Sequence, residues 1–240
     1  MKACLLPRWN LAPRDAIRLQ ERLRDRVIDE DRFGAIRTVA GADLAFAGDT
    51  AFAGIVVFHL NGLEEIERCF VRRRLRFPYI PGLLSFRECP ALLAAFARLR
   101  TEPDLVLIDG HGQAHPRLFG IACHMGVLLD KPTIGCAKSR LVGEHEKPGA
   151  RAGKAAPLMF KGRRVGVALR TRDNTNPIYV TVGHRVSLDS AVRLVRCCLD
   201  GFRIPKPTRE ADHYVRGLRM AYQAEKAARP EATGSADLRC

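Results

Sequence analysis

No C-x-x-C pair occurs among the eight cysteines of this 240-residue chain, so the ligand spacing of a structural zinc site is missing. Most of them (4, 69, 89, 123, 136, 197, 198 and 240) sit inside apolar runs, as Cys123 does in FGIACHMGVLL. In that setting a thiol behaves as a small buried hydrophobe in a reducing compartment. No apolar run approaches the roughly 18 residues that a membrane-spanning helix needs, and 28% of the residues are charged, so a membrane protein is not expected. The opening MKACLLPRWN interrupts its short apolar patch with Pro7, Arg8 and Trp9. It has neither the apolar core nor the small-residue cleavage site of a secretory signal, and a cytoplasmic protein is expected. Repeats, low-complexity blocks and a convincing linker are absent too. One domain is therefore expected over residues 1–228, with a frayed tail at 229–240.

What the chain does have is 47% hydrophobic content, enough to bury a proper core, and a large excess of positive charge. A net charge of +14 favours a polyanionic partner, and nucleic acid is the commonest one in the cytoplasm. A basic proteome or a solubility choice would give the same charge. Arginine far outnumbers lysine, which suits phosphate forks but equally suits a GC-rich genome.

Hydrophobic periodicity outlines the elements. Residues 12–30 place Ala16, Leu19, Leu23 and Val27 at helical spacing. Three strands follow at 37–48, 50–60 and 64–75, the last two joined by the hairpin signal Asn61-Gly62. After the loop FPYIPGLLS come a helix (86–100), a continuous apolar run (103–110) that reads as a strand buried on both faces, a helix (118–130) and a second buried strand (132–138). Residues 144–164 are polar and rich in glycine and basic residues, and are expected to be mobile. A hairpin (164–183), a helix (187–200) with Ser187 as its N-cap and a basic helix (208–228) complete the chain. Hairpin strands followed by strand–helix units imply an α/β fold, a mixed sheet with helices on both faces.

Three acids lie where a sheet can bring distant residues together. Asp43 is inside the first strand, Asp109 ends the buried run LVLID, and Glu88 opens a helix. If the strands at 37–48 and 103–110 are neighbours, Asp43 and Asp109 meet side by side. Two carboxylates in a dry place repel unless one protonates or a cation joins them, and hard oxygen ligands suit Mg²⁺ or Mn²⁺. Asp109 alone would more simply cap a turn. Asp43, flanked by small and apolar residues, is costly to bury without a partner.

The runs VAGADLAF (39–46), PYIPGLLSFRE (78–88), DLVLIDGHGQAHPR (104–117), GIACHMG (120–126), PTIGCAKSRLVG (132–143), VTVGHRVSLDSA (180–191) and FRIPKPTREAD (202–212) closely resemble the endonuclease V family. The resemblance spans most of residues 36–212 in order. It implies a ribonuclease H-like fold and a Mg²⁺-dependent endonuclease, with Mn²⁺ able to substitute, that recognises deoxyinosine. Such enzymes cut the second phosphodiester bond 3′ to the lesion and leave 3′-hydroxyl and 5′-phosphate ends. Carried over by position, Asp43, Glu88 and Asp109 would bind the metal and Lys138 would serve the scissile phosphate. Tyr79, with Ile80 and Pro81, matches the strand-separating wedge. Gly82, Leu84, Gly110, His115 and Ile121 match the region that holds the flipped base. The C-terminal member of the site falls on Asp212 or His213, and His213 is taken as catalytic.

The chemistry of those residue types fits the implied role. Extruding a base costs a few kcal/mol; a stiff proline and apolar side chains can fill the vacated space. Hypoxanthine has an acceptor where adenine has an amine and lacks guanine's exocyclic amine, so a close pocket of small residues and backbone groups can select it. The arginines at 72, 73, 74, 76 and 87 and the basic stretch 147–164 are candidates for backbone phosphate contacts. His59, His124, His145 and His184 read as structural or solvent-facing. Rival readings are an inosine-specific endoribonuclease, a general nuclease of the same superfamily and a non-catalytic nucleic-acid binder. A monomer is expected.

Overall fold

The computed structural model describes residues 3–4 and 9–228; the expected frayed tail lies outside the described residues. Eight strands form one mixed sheet: β1 (Thr38–Ala47), β2 (Thr50–His59), β3 (Glu65–Arg74), β4 (Leu105–Ile108), β5 (Thr133–Ala137), β6 (Ala155–Phe160), β7 (Arg163–Leu169) and β8 (Ile178–His184). Their spatial order is β3-β2-β1-β4-β5-β8-β7-β6. At the centre β1, β4 and β5 run parallel, and antiparallel strands extend the sheet on both sides.

The pleat explains why the central strands read as unbroken apolar runs. In β4, Leu105 and Leu107 enter one core cluster while Val106 and Ile108 enter the other, each contributing about 1.5–3 kcal/mol by burial. On one face lie α2 (Leu84–Phe96) and α3 (Ile121–Leu129), with α1 (Pro13–Arg24) packed against α3. On the other lie α4 (Leu188–Cys197) and α5 (Lys206–Ala228). Pro13 and Asp15 open α1, and the helix stops at Arg24, short of the expected 12–30. Ser187 caps α4, its side chain accepting from the Ser190 amide at 3.3 Å.

Two glycines decide how α5 docks. A Cβ at Gly41 would lie 1.9 Å from the Pro207 carbonyl oxygen, and one at Gly54 would lie 2.5 Å from Val215 Cγ1. The bare backbone of β1 and β2 thus forms the bed on which the first turns of α5 rest.

Part of the segment expected to be mobile is a strand. Residues 155–160 form β6 on β7, and Glu144 bridges to Met159. Ala156 and Leu158 point inward while their neighbours face solvent. An edge strand needs only one apolar face and carries polar residues on the other, so its glycine- and lysine-rich surroundings hide it. Among the described residues no helix is long and apolar enough to cross a membrane. Cys89, Cys123, Cys136 and Cys198 are buried free thiols, whereas Cys4 and Cys197 are exposed.

Candidate active site

The three parallel strands end on one edge of the sheet. Alternate residues of a strand share a face, so Asp43 lies on the face that Gly41 presents to α5, Asp109 on that of Leu105 and Leu107, and Lys138 on that of Cys136. Register makes the two aspartates neighbours: Ala42 pairs with Ile108, and the Asp109 amide donates to the Ala42 carbonyl at 3.3 Å. Asp212, in the second turn of α5, completes the group. Carboxylate oxygens of Asp43, Asp109 and Asp212 lie within 4.8 Å of one another, the one such acidic group among the described residues. Lys138 Nζ sits 2.5 Å from Asp109 Oδ2 and 3.2 Å from Asp212 Oδ1. Arg216, one turn further along α5, holds Asp212 Oδ2 at 3.2 Å.

Three carboxylates so close cannot all ionise without opposing charge. Burial, and then the charge of Asp109, pushes Asp43 up to about 8, although the Leu44 amide donates to it at 2.8 Å. Asp109 is raised by burial against the opposing pull of Lys138. Burial works against the Lys138 ammonium, yet its pairs with Asp109, Asp43 and Asp212 hold it above the ordinary lysine value. The cluster is short of positive charge. Its donors are hard carboxylate oxygens, with no thiolate or imidazole among them, and they fit a hard divalent cation.

Glu88 is not among the three carboxylates that meet within 4.8 Å. It projects from α2, on the opposite face of the sheet, and is 9% exposed. Burial, followed by the charge of Asp109, pushes it up to about 8. His213 is further removed: its side chain is 60% exposed and lies 4.0 Å from Glu210 Oε2. The structure brings Asp212, not His213, to the carboxylates. A signal for this existed, because Thr208, Ala211 and Val215 are the buried stripe of α5. Asp212 belongs to that stripe by helical spacing, and His213 is turned about 100° away.

The PYIPG loop stands on Phe77 and Leu83, which pack with Phe86 and Ala16; Ile80 packs against the same cluster. Tyr79 at its tip is 69% exposed. His115 Nε2 donates to the Gly82 carbonyl at 3.2 Å, while its Nδ1 accepts from the Arg117 amide at 3.2 Å. Burial, then the neighbouring Arg117 charge, pushes His115 down to about 4, so the ring is neutral near pH 7. Gly110 abuts Ile121, whose Cγ2 would lie 2.6 Å from an added Cβ. The residues expected around a base thus include two touching pairs, Gly82 with His115 and Gly110 with Ile121, while Leu84 is 38% exposed at the start of α2.

His111 was singled out by none of the motif's expected roles, yet it is buried and its Nε2 donates to the Ser139 carbonyl at 2.9 Å. That bond steadies the chain just after Lys138. Arg72, Arg73 and Arg74 are exposed along the end of β3; Arg72 lies over the Tyr222 ring at 5.3 Å, and Arg74 pairs with Asp49 at 2.8 Å. Arg87 is tied inward, donating to the Phe77 carbonyl at 3.0 Å. His124 is fully buried against Ser85 and His184 against Asp130, in keeping with structural roles. A cleft of about 910 Å³ between Arg37, Asn61 and Lys206 opens beside the β2–β3 turn and contains none of the site residues.

A ribonuclease H-like sheet whose parallel strands, with α5, bring three aspartates and a lysine together defines a metal-dependent nuclease. Residues 21–213 match the family model described as Endonuclease V. The chain is 50% identical over 204 residues to an endonuclease V of Roseiflexus sp. (strain RS-1), covering 85% of this chain and 92% of that protein. The endonuclease V structure from Streptomyces avermitilis superposes with a TM-score of 0.84 at 41% identity, covering 89% of this chain and 96% of the other. A Ciona intestinalis endonuclease V, crystallised with a 23mer DNA containing an inosine followed by a ribo-adenosine, gives a TM-score of 0.79 at 25% identity, covering 88% of this chain and all of that one. The chain belongs to the endonuclease V family.

Proposed function

We propose that the protein is a Mg²⁺-dependent endonuclease that recognises deoxyinosine in DNA and hydrolyses the second phosphodiester bond 3′ to it, leaving 3′-hydroxyl and 5′-phosphate ends. The observation that carries this reading is the gathering of Asp43 from β1, Asp109 at the end of β4 and Asp212 from α5 within 4.8 Å, with Lys138 paired to Asp109 and Asp212. The related protein crystallised with inosine-containing DNA supports the choice of substrate.

In this reading Asp43, Asp109 and Asp212 hold the cation. When bound, Mg²⁺ supplies positive charge that polarises the scissile phosphate and favours ionisation of an attacking water. Lys138 Nζ turns from the carboxylates to a phosphate oxygen and opposes the charge that builds there. Glu88, buried on α2 and raised by burial and by the charge of Asp109, would join the three aspartates in holding the cation. Tyr79, Ile80 and Pro81 fill the space left by the extruded base, which comes to lie among Gly82, Leu84, Gly110, His115 and Ile121. His115 remains a neutral ring whose Nε2–H is committed to the loop. His213 keeps at most an outer role near the backbone phosphates.

Exposed Arg72, Arg73 and Arg74 add salt-sensitive contacts that carry no sequence preference. The buried free thiols support a reducing, cytoplasmic setting. All members of the cluster come from one chain, so this part of the site needs no second copy.

A second reading is favoured by the ribo-adenosine in the related complex: the strand cut would be one with a ribonucleotide 3′ to inosine, read through its 2′-hydroxyl. A panel of matched oligonucleotides decides. With Mg²⁺, and with Mn²⁺ in its place, inosine-containing DNA should be nicked at one position and its adenine counterpart left intact. Preferential cutting of inosine RNA would favour the second reading, and no cutting of either would end both.

A further inference from the structure

Beneath the exposed tip of the PYIPG loop lies a polar knot that the roles assigned so far leave unexplained. Gln20 on α1 is 1% exposed. Its amide nitrogen donates to the Gly82 carbonyl at 3.1 Å and to the Phe119 carbonyl at 3.2 Å. Its oxygen accepts from Arg117 Nε at 2.7 Å. Arg117 Nη2 then donates to the same Gly82 carbonyl at 2.5 Å, which already receives His115 Nε2. Three side chains from two separate segments converge on an oxygen that has two lone pairs. Gly82 has φ 78°, and an added Cβ would lie 2.8 Å from Arg117 Nη2. Phe119 directly precedes Gly120, the N-cap of α3. Gln20 therefore ties together the loop that carries Tyr79 and the start of the helix that carries Ile121.

We propose that Gln20 and Arg117 are positioning residues that brace the Tyr79 wedge against the base pocket, so that the loop can open a base pair without recoiling. This rests on the reading of the chain as an inosine-directed endonuclease. Opening and unstacking a pair costs a few kcal/mol, and that load falls on the tip of the loop. Apolar contacts of Ile80 and Leu83 hold the loop down but resist sliding poorly, because they have no directional preference. The guanidinium fork fixes direction: its Nε is set by a buried amide, and its Nη2 grips the backbone of the loop itself. A single strand offers no pair to open and does not need the brace.

Three variants, Arg117→Met, Arg117→Lys and Gln20→Met, test this against the wild type on one inosine strand, presented alone and in duplex, with Mg²⁺. Arg117→Met and Gln20→Met should lose on the order of 10- to 100-fold in kcat/KM on the duplex, with most of the loss in kcat, and under about threefold on the single strand. A 2-aminopurine beside the inosine should brighten less when the duplex is bound by either variant in EDTA. Arg117→Lys, which keeps one donor for the Gly82 carbonyl, should recover part of both signals. Should Gln20→Met fail to fold, the half-buried Arg117 decides by itself. Equal losses on both substrates, or unchanged duplex cleavage and fluorescence, would overturn the proposal. Failure of the wild type to cut either inosine strand would instead remove the reading on which it stands, and is separately visible.

Discussion

Replacing Asp43 by asparagine should make the metal-free protein more stable while destroying its activity. Asp43 titrates near 8 in the folded chain, raised by burial and then by Asp109, against an ordinary value of 3.8. Between those values the folded state keeps a proton that the unfolded state has released, so stability falls as pH rises through the window. From pH 5 to pH 8 that amounts to three steps of about 1.4 kcal/mol, at most about 4 kcal/mol. Asp43 and Asp109 share the repulsion, so roughly half, about 2 kcal/mol, is the expected pH-dependent gain from one substitution. For a chain of this length that is roughly 4–8 °C in melting temperature. Thermal unfolding followed by circular dichroism in EDTA at both pH values reads it directly. The advantage of Asp43→Asn over wild type should be larger at pH 8 than at pH 5 by that amount, and added Mg²⁺ should raise the wild type more than the variant. A variant no more stable than wild type at pH 8, or equally favoured at both pH values, would refute the strained-carboxylate reasoning.

Other substitutions probe the same geometry. Lys138→Ala removes the cation 2.5 Å from Asp109, so Asp109 should hold its proton to higher pH. Single-turnover cleavage should slow by about 10²–10³, and the acid limb of its pH profile should move upward; a uniform loss at every pH would count against this. Gly41→Ala drives a Cβ to 1.9 Å from the Pro207 carbonyl and should lift the first turns of α5, and Asp212 with them. We expect about 3 kcal/mol or more of destabilisation together with weakened divalent-cation binding. Gly34→Ala, with nothing within 4 Å of the added Cβ, is the matched control. A Gly41→Ala protein that melts like the control would contradict the docking described.

Much of the fold could be read from local pattern because the pattern was physically forced. A run such as LVLI between a proline and an aspartate has few options other than a strand covered on both faces, and β4 is that strand. Its parallel pairing with β1 then made Asp43 and Asp109 neighbours. What escaped were features set by side-chain phase and by distant contact. Glu88 sits on a helix whose face of the sheet periodicity does not reveal, and it is not one of the three carboxylates that meet within 4.8 Å. Choosing between Asp212 and His213 required the phase of α5, which helical spacing from Ala211 and Val215 marks and the bed on Gly41 and Gly54 fixes. Glycine in a strand has several common causes, so the sequence offered no reason to read those two as a docking surface. Gln20 is a polar residue on an amphipathic helix, and its burial follows from the segments that fold over it. β6 was masked by its charged surroundings.

The gathering of the carboxylates is tested most directly by isothermal titration with Mn²⁺, comparing the wild type with Asp212→Asn and His213→Ala. Asp212→Asn should lose most of the binding heat at concentrations that saturate the wild type, and His213→Ala should bind like the wild type. The opposite order, with Asp212→Asn binding normally and His213→Ala failing to bind, would show that the cation is held elsewhere.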